Sequence, residues 1–357
     1  MTALKVSNLS RAIKFNPREF YSRQVVLAEL GRKGQEKLRQ AKVAVVGLGG
    51  LGTISTLYLA LAGVRYLRLV DQDTVELRNL HRQILYGMDD LRYPKVEAGA
   101  NRISHVNPEV KVEAVSENVN EKNVDSLICD VDCVVDGLDN MKTRYTVNRA
   151  CTQNNVPYVF GAAIGLEGNL SVFSPPETPC LECILPGLDD QYLSRCDTRG
   201  VLGATAGIIG SLQAVEAIKL LAGIKGSLKG RLMVCDFRDM YFTMIELLKR
   251  PDCPVCGARA TAKPIKEAAR LAMVCGGNTF NINPSQPIKI SLDKAYAQLK
   301  KQFKILLKSS LVVVFKYDNS IEVSLFNGGR MLIKNAKNEK AALEVNNSIV
   351  KTLRQKS

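Results

Sequence analysis

The hexapeptide GLGGLG at residues 47–52 restricts the possible folds of this chain more than any other segment. The apolar run at 42–47 is typical of a buried parallel strand, and residues 50–63 have the length and spacing of a helix. Glycines at such a turn let the backbone approach a phosphate group, whose charge the helix N-terminus favours. The sequence therefore predicts a strand–loop–helix unit that binds a nucleotide through Gly47, Gly49, Gly50 and Gly52.

Strand-like and helix-like segments alternate on both sides of this unit. Predicted strands lie at 65–71, 110–116, 131–136 and 157–161, and predicted helices lie at 21–40, 94–106 and 141–155. Paired strands around 168–174, a long helix at about 205–221 and strands near 231–240 follow. We therefore expect residues 1–275 to form an α/β fold with a doubly wound, mostly parallel sheet of the Rossmann-like kind.

The residues after Cys275 differ in character from those before it. The segment GGNTFNINPSQP is rich in Gly, Asn and Pro, and a helix, three strand-like runs and a last helix at 339–353 follow it. Residues 276–357 carry fourteen Lys and Arg against five Asp and Glu, which is most of the chain's formal charge of +14. We expect a small basic α+β domain at 276–357 that docks a partner and has no chemistry of its own.

Composition excludes several classes of protein. Apolar residues make up 46% of the chain and charged residues 24%, which is typical of a globular protein and not of a disordered one. The start, MTALKVSNLSRAIKF, lacks the apolar core of a secretory signal, and Gln213, Glu216 and Lys219 interrupt the best candidate for a membrane span. We expect a cytoplasmic protein without a membrane segment. The positive charge suggests an anionic partner, and nucleic acid is an alternative that we do not favour.

Polar residues after the glycine loop decide between two kinds of nucleotide chemistry. Asp71 ends the second predicted strand where a ribose-binding acid belongs, and the glycine loop and Asp71 taken alone favour an NAD-dependent oxidoreductase. Further charged and polar groups follow it: Asp73, Asn79, Arg82, Gln83, Lys95 and Asp139. Hydride transfer does not need so many polyanion-binding groups. Attack of a carboxylate on the α-phosphate of ATP does, because Arg, Lys and Mg²⁺ must stabilise the charge that builds up.

Residues 21–249 resemble the adenylation domain shared by ubiquitin-activating enzymes and by the bacterial molybdopterin-synthase and thiamine sulfur-carrier adenylyltransferases. The ordered motifs that carry the resemblance are SRQ at 22–24, GLGGLG at 47–52, DxD at 71–73, NLHRQ at 79–83, PK at 94–95 and LDN at 138–140. The resemblance implies ATP and Mg²⁺ as cofactors, and a homodimer, because the chain has one adenylation unit.

The same resemblance implies a role for each matching residue. Asp71 would bind the ribose, with Asp73 as the second acid of the motif. Asn79, Arg82, Gln83 and Lys95 would hold the phosphates. Asp139 would hold Mg²⁺, and Arg23 would reach the ATP of the opposite subunit. The catalytic residues expected from the family are therefore Arg82, Asp139 and Arg23, together with Cys196, which is described below.

Four cysteines form two C-x-x-C pairs, Cys180 with Cys183 and Cys253 with Cys256. This spacing lets two turns present four thiolates to one tetrahedral Zn²⁺, and the alternative is four unligated cysteines. Four thiolates leave no open position on the metal, so the role would be structural. The cysteines on apolar patterns, which we expect in the core, are Cys129, Cys133, Cys151 and Cys235.

Cys196 lies in the polar loop SRCDTRG, flanked by Arg195 and Arg199. Positive charge nearby favours the thiolate, which is the reactive form. In the resembling family this loop crosses over the active site and carries the cysteine that receives the activated carboxyl group. The alternative is an incidental loop thiol.

The resemblance leaves the end product open. In both cases the C-terminal carboxylate of a ubiquitin-like or sulfur-carrier protein ending in Gly-Gly is adenylated. Conjugation would continue through a thioester on Cys196, with the C-terminal domain binding a ubiquitin-conjugating enzyme, whereas sulfur transfer would end in a thiocarboxylate for molybdopterin, thiamine or tRNA thiolation. We slightly favour conjugation, because the tail after Cys275 has no cysteine for a rhodanese-like relay. A non-enzymatic nucleotide-binding regulator is a further alternative.

Overall fold

The structure, a computed structural model, describes residues 14–190, 199–258, 261–262, 265, 271–273, 278–284 and 288–354. Within these residues the chain forms one eight-stranded and one six-stranded β-sheet. The first sheet carries the glycine loop. The second is built from the C-terminal part of the chain.

The eight-stranded sheet confirms the predicted α/β fold. Its strands are β1 Lys42–Val46, β2 Tyr66–Val70, β3 Lys111–Val115, β4 Cys133–Asp136, β5 Tyr158–Ile164, β6 Glu167–Phe173, β7 Arg231–Asp236 and β8 Tyr241–Glu246. They lie in the order β3-β2-β1-β4-β5-β6-β7-β8. Strands β3, β2, β1, β4 and β5 pair in parallel, and β6, β7 and β8 continue the sheet in antiparallel pairing.

Helices cover both faces of this sheet. They are α1 Pro17–Phe20, α2 Gly31–Gln40, α3 Gly50–Ala62, α4 Lys95–Val106, α5 Val124–Ile128, α6 Met141–Asn154, α7 Leu181–Ile184 and α8 Gly203–Ala222. Side chains of α2, α3, α4 and α8 share one apolar core with the sheet, and side chains of α5, α6 and α7 form a second core on the other face. Because both faces are covered, the sheet is doubly wound, as predicted.

Strand β1 lies between β2 and β4 and marks the point where the strand order reverses. Its C-terminal end is tied to both neighbours, because Gly47 N donates to Val70 O and Gly137 N donates to Val46 O, each at 2.8 Å. In open parallel sheets, the crevice beyond the carboxyl ends of the strands at such a point is where ligands bind. The fold therefore places the glycine loop and the loop after β4 side by side.

Helix α8 is the one helix among the described residues that is long and apolar enough to cross a membrane by length and composition. Here it packs against α2, α3 and strands β5 and β6. Gln213 Nε2 donates to Asp136 O at 2.7 Å, and Glu216 accepts a hydrogen bond from Leu228 N at 2.6 Å. Gln213 and Glu216, two of the polar residues that interrupt the apolar run, thus satisfy buried backbone groups, as expected for a core helix.

The six-stranded sheet is antiparallel throughout. Its strands are β9 Leu271–Met273, β10 Thr279–Ile282, β11 Lys304–Lys308, β12 Val312–Lys316, β13 Glu322–Phe326 and β14 Met331–Lys334, in the order β11-β12-β13-β14-β10-β9. Helices α9 Leu292–Leu299 and α10 Glu339–Arg354 cover one face through a core that includes Phe280, Phe315 and Ile333. This confirms a small α+β unit, while the domain boundary at 275/276 stays a prediction.

Several local predictions were wrong. The helix predicted at 21–40 begins only at Gly31, whose φ of +56° interrupts a continuous helix, and residues 21–30 form turns. Strand β10 lies inside the Gly-, Asn- and Pro-rich segment that was interpreted as a boundary, because pairing with β14 and full burial outweigh local composition. Strand β11 and helix α5 were also missed. Cys129 follows α5 and is exposed, so it is not a core residue, whereas Cys133, Cys151 and Cys235 are buried.

Candidate active site

The glycine loop and the loop after β4 meet through their backbones. A methyl group at Gly52 would lie 1.9 Å from Gly47 O, and one at Gly137 would lie 2.0 Å from the same oxygen. Gly47 itself has a φ of +91°, a left-handed conformation that favours glycine. These glycines bring the ends of β1 and β4 closer together than side chains would permit.

Asp71 connects this loop to the loop that follows β2. Its Oδ2 accepts a hydrogen bond from Leu48 N, and its Oδ1 accepts one from Asp73 N, both at 2.7 Å. Pro94, the N-cap of α4, starts the helix so that Lys95 lies in its first turn, and Lys95 N also bonds Asp73 O at 3.0 Å. The three predicted residues Asp71, Asp73 and Lys95 therefore lie together beside the glycine loop.

Lys95 is held as a buried cation in this cluster. Its Nζ lies 3.0 Å from Asp73 Oδ2 and 3.8 Å from Asp71 Oδ2, and the residue is only 6% exposed. Burial by itself lowers the pKa of Lys95, but the carboxylates of Asp71, Asp73 and Asp139 raise it overall. The site thus keeps a permanent positive charge next to the backbone that is suited to phosphate groups.

Arg82 reaches the other side of the glycine loop. A methyl group at Gly50 would lie 3.6 Å from its Cγ and Cδ, and one at Gly203, the first residue of α8, would lie 3.5 Å from its Cα. The Nη1 atom of Arg82 donates to Arg78 O at 3.0 Å. The aliphatic part of the Arg82 side chain therefore lies beside the glycine loop, and its guanidinium is held by the turn that contains Arg78.

Asn79 and Gln83 flank Arg82 in sequence and are both buried. Asn79 ends a short 3₁₀ helix, and its Oδ1 accepts a hydrogen bond from Glu76 N at 3.1 Å. Gln83 Oε1 is buried with no hydrogen-bond partner among the described residues, as is Asp73 Oδ1. Buried polar atoms without partners are uncommon in native structures, so these two oxygens indicate a site built for a polar ligand.

Asp139 follows β4 and is exposed, next to Asn140, whose Nδ2 donates to Asp139 Oδ1 at 3.2 Å. It lies close enough to Lys95 to raise the pKa of that amine. A carboxylate at the mouth of a phosphate-binding loop is the kind of oxygen ligand that Mg²⁺ prefers. The residues present therefore fit ATP with Mg²⁺.

A buried ion pair between Arg144 and Asp136, which the sequence analysis missed, supports the loop that carries Asp139. Arg144 Nε donates to Asp136 Oδ2 at 3.0 Å and Arg144 Nη2 donates to Leu138 O at 2.8 Å. Asp136 Oδ1 accepts a hydrogen bond from Leu138 N at 2.8 Å, and Tyr158 donates to Asp136 Oδ2 at 2.7 Å. The available signal was an aspartate at the end of an apolar strand with an arginine eight residues later.

Arg23 lies away from the glycine loop of its own chain. Its neighbour Gln24 donates through Nε2 to Ala62 O, at the last residue of α3, at 2.8 Å. Gly50 is at the first residue of that helix, which rises about 18 Å over its length. The structure therefore does not bring Arg23 to the other predicted residues within one subunit.

The four paired cysteines come together as predicted. Cys180 and Cys183 belong to the start of α7, and Cys253 and Cys256 belong to a turn at 251–257. The Sγ atoms of Cys180 and Cys253 are 3.7 Å apart, those of Cys183 and Cys256 are 3.3 Å apart, and all four lie within 4.8 Å of one another. Tetrahedral zinc with Zn–S bonds of about 2.3 Å places sulfur atoms about 3.8 Å apart, so the cluster fits Zn²⁺.

Cys196 lies outside the described residues, but the described residues on either side of its loop are anchored. Asp190 accepts hydrogen bonds from Met141 N at 2.7 Å and Lys142 N at 3.2 Å, at the start of α6 directly after Asp139 and Asn140. On the other side, Gly200 O accepts from Gly165 N at 2.9 Å. Asp190 therefore lies next to the residues that directly follow Asp139, the predicted Mg²⁺ ligand.

Comparison with known proteins agrees with this geometry. A model of the ThiF family matches residues 21–255. The sulfur carrier protein ThiS adenylyltransferase of Escherichia coli is 40% identical over 254 residues, which are 70% of this chain and all of that protein. The SAMP-activating enzyme E1 of Haloferax volcanii is 41% identical over 238 residues, 66% of this chain and 88% of that protein.

A solved structure, that of E. coli MccB, resembles the fold with a TM-score of 0.62. The two chains are 22% identical, and the similarity covers 70% of this chain and 75% of that one. At this identity the resemblance concerns the fold alone. The second sheet lies after the last residue of the family match.

The cysteine cluster generates a prediction about metal content. Purified protein should carry roughly one zinc ion per chain, and Cys253→Ser should lose it, because three thiolates form a weaker site. The free energy of unfolding should fall by several kcal/mol, since structural zinc contributes directly to folding. Elemental analysis and thermal melting measure both effects. Cys129→Ser, at an exposed cysteine outside the cluster, is the matched control and should keep its zinc, whereas a wild-type protein without metal would contradict the assignment.

Proposed function

This chain belongs to the ThiF family and is an enzyme of the adenylyltransferase type, and from that premise we propose that it uses ATP and Mg²⁺ to adenylate the C-terminal carboxylate of a small sulfur-carrier protein. The observation that carries the proposal is the cluster of Asp71, Asp73 and Lys95 beside the glycine loop, with Arg82 on the other side of that loop. This arrangement occurs in a chain that matches a sulfur-carrier adenylyltransferase over that protein's whole length.

The relatives support the hypothesis of sulfur-carrier activation better than the hypothesis of protein conjugation, which the sequence alone slightly favoured. One is named for a sulfur carrier protein and the other is named an activating enzyme E1. Both names are consistent with activation of a small protein, and neither supports an NAD-dependent oxidoreductase or a non-enzymatic regulator. Thioester formation on Cys196 stays a prediction.

The proposed reaction forms a mixed anhydride. A carboxylate oxygen of the carrier attacks the α-phosphorus of ATP, a new P–O bond forms, and the bond to the β-phosphate breaks to release pyrophosphate. Negative charge grows on the phosphoryl oxygens in the transition state, and preorganised cations stabilise it. Asp139 would hold Mg²⁺, and the ion would supply positive charge near the leaving pyrophosphate.

Each residue of the site has a task in this reaction. Lys95 is kept protonated by the carboxylates around it and binds phosphate oxygens together with Arg82. Asn79 and Gln83 offer amide donors to the same phosphates, and Asp71 binds the ribose hydroxyls. The backbone amides of the glycine loop approach the phosphates because no side chain intervenes.

The proposal extends to partners and compartment. The carrier protein ends in Gly-Gly, and the second sheet is a candidate docking unit for the next acceptor, including a ubiquitin-conjugating enzyme if the chain acts in conjugation. We also propose a homodimer, since Arg23 lies at the far end of α3 from the glycine loop of its own chain. The cytoplasm is the proposed location, and the described cysteines, none of which forms a disulfide, are consistent with it.

Removing charge from the site tests the proposal. We expect Arg82→Ala and Asp139→Ala to lower carrier-dependent ATP–pyrophosphate exchange on the order of 10² to 10³-fold, because each side chain acts mainly on the transition state. The fold should remain, as judged by thermal melting. Asp89→Ala, at an exposed carboxylate outside the site, is the control with near-normal exchange. Near-normal exchange in both site variants would contradict the assignment of this site as the adenylation site.

Mixing two inactive variants tests the shared active site. Arg23→Ala and Asp139→Ala should each be inactive alone, and together they should regain activity, because a heterodimer has one site with both native residues. Pyrophosphate exchange after subunit exchange measures the rescue. If subunits demonstrably exchange and no activity returns, Arg23 acts in its own subunit or the protein is a monomer.

A substitution of Cys196 distinguishes between the two possible end products. Cys196→Ala should keep normal pyrophosphate exchange, since adenylation does not need the thiol. If the chain forms a thioester, this variant should lose a reductant-sensitive adduct with the carrier, which mass spectrometry detects. An adduct that survives the substitution would show that Cys196 is not the acceptor, and Cys129→Ser serves as the control.

A further inference from the structure

The second sheet lies against the acid-bearing loop of the proposed nucleotide site. The family match ends at residue 255, so it assigns no role to this part of the chain. One face of the sheet packs under α9 and α10, and polar residues of the chain's C-terminal part contact the first sheet. Three of these contacts reach the loop directly after Asp71, at Gln72, Thr74 and Glu76.

Lys334, the last residue of β14, holds the outer end of this loop. Its Nζ donates to Thr74 Oγ1 at 3.0 Å and lies 2.8 Å from Glu76 Oε1. Burial by itself raises the pKa of Glu76, but Lys334 and Arg78 lower it overall, so the pair is ionic. Because Thr74 is buried, this contact is part of a packed interface and not a loose surface pair.

Arg330, just before β14, connects the ends of two strands of the first sheet. Its Nη2 donates to Ser116 Oγ, directly after β3, at 3.2 Å, and its Nη1 donates to Asn281 Oδ1 at 3.1 Å. Asn281 in turn donates to Gln72 Oε1 at 3.3 Å. The guanidinium also stacks on Phe326, 3.6 Å from the ring centroid, which fixes its plane.

Acidic residues of the nucleotide site compensate the positive charge of Arg330. The residue is 5% exposed and forms no ion pair within 4.0 Å among the described residues. Burial lowers the pKa of Arg330 to about 10, and the charges that oppose this shift are those of Asp73, Asp71 and Glu117. Arg330 Nε and Asp73 Oδ1 are both buried without a hydrogen-bond partner in the described part of the chain.

We propose that Arg330 is a positioning residue of the nucleotide site, which fixes the loop of Asp71 and Asp73 from the C-terminal sheet, with Lys334 holding the outer end of the same loop. The inference rests on the proposed function, because it requires ATP at the glycine loop and its ribose at Asp71. Lys95 attracts the two acids from the inner side, and Arg330 attracts them from the outer side. Without Arg330, Asp71 and Asp73 keep the attraction of Lys95 but lose the positive charge on their outer side, so Asp71 is held less firmly in place.

The C-terminal sheet is then a part of the ATP site and not only a docking unit. This differs from the expectation that residues 276–357 have no part in the chemistry. The contacts that produce the difference join residues more than two hundred positions apart, such as Lys334 and Thr74. Composition and local pattern carry no signal for them.

The test compares ATP with the ATP analogue that lacks both ribose hydroxyls. Arg330→Met removes the charge and all donors while nearly keeping the volume. Calorimetry of the full-length protein with Mg²⁺ should show that ATP binding weakens on the order of tenfold, the range of a lost charge-assisted hydrogen bond. Binding of the analogue should change little, so the preference for ribose hydroxyls should collapse, and Asp71→Asn should show the same loss. A merely structural defect would weaken both ligands alike.

Matched variants complete the test. Ser310→Ala removes another contact of the C-terminal part of the chain, the hydrogen bond from Ser310 Oγ to Glu97 Oε1 in helix α4 at 2.7 Å, and should keep both affinities. Arg330→Lys should recover part of the preference because it restores the charge. If Arg330→Met does not fold, Lys334→Met replaces it with the same expected direction. A folded variant with the wild-type preference overturns the inference alone, whereas wild-type protein that binds no ATP overturns the proposed function and the inference with it.

Discussion

The backbone contact between Gly47 and the glycines at 52 and 137 is the constraint on which the rest of the site depends. It leaves no room for a Cβ atom, since a methyl group at either position would come within about 2 Å of Gly47 O. The ends of β1 and β4 can approach each other only because these positions carry no Cβ atom. Asp71 then reaches Leu48 N, and the loop of Asp139 lies next to the phosphate-binding turn. A helix N-terminus, three carboxylates and two cations thus lie around one crevice.

Two buried charge clusters hold this crevice in shape. Arg144 and Asp136 support the loop of Asp139 from within the first sheet. Lys95 draws Asp71 and Asp73 together beside the glycine loop. Burying charges costs free energy that their attraction offsets only with good geometry, so such pairs are weak evidence for stability. Their value here lies in fixing the positions of charged groups before a ligand binds, which is how preorganised sites favour a transition state.

The sequence allowed the prediction of those features that local pattern determines. The glycine loop, Asp71 at a strand end, Lys95 after Pro94 and the two cysteine pairs all lie in short segments whose spacing reflects one turn or one strand. The features that were missed depend on distant partners. Strand β10 needs β14, Arg144 needs the backbone at Gly161 in β5, and Arg330 needs Ser116, which directly follows β3. The helix predicted at 21–40 failed for a different reason, because the backbone conformation of Gly31 is not visible in an apolar pattern.

The central claim is that a carrier protein's terminal carboxylate attacks ATP at this crevice. The most direct measurement is the exchange of labelled pyrophosphate into ATP by the full-length protein with Mg²⁺ and a small carrier protein that ends in Gly-Gly, compared with the same carrier amidated at its C-terminus. The account predicts exchange with the free carboxylate and none with the amide, because adenylation consumes a carboxylate oxygen. Equal exchange with both carriers, or nucleotide turnover without any carrier, would contradict it.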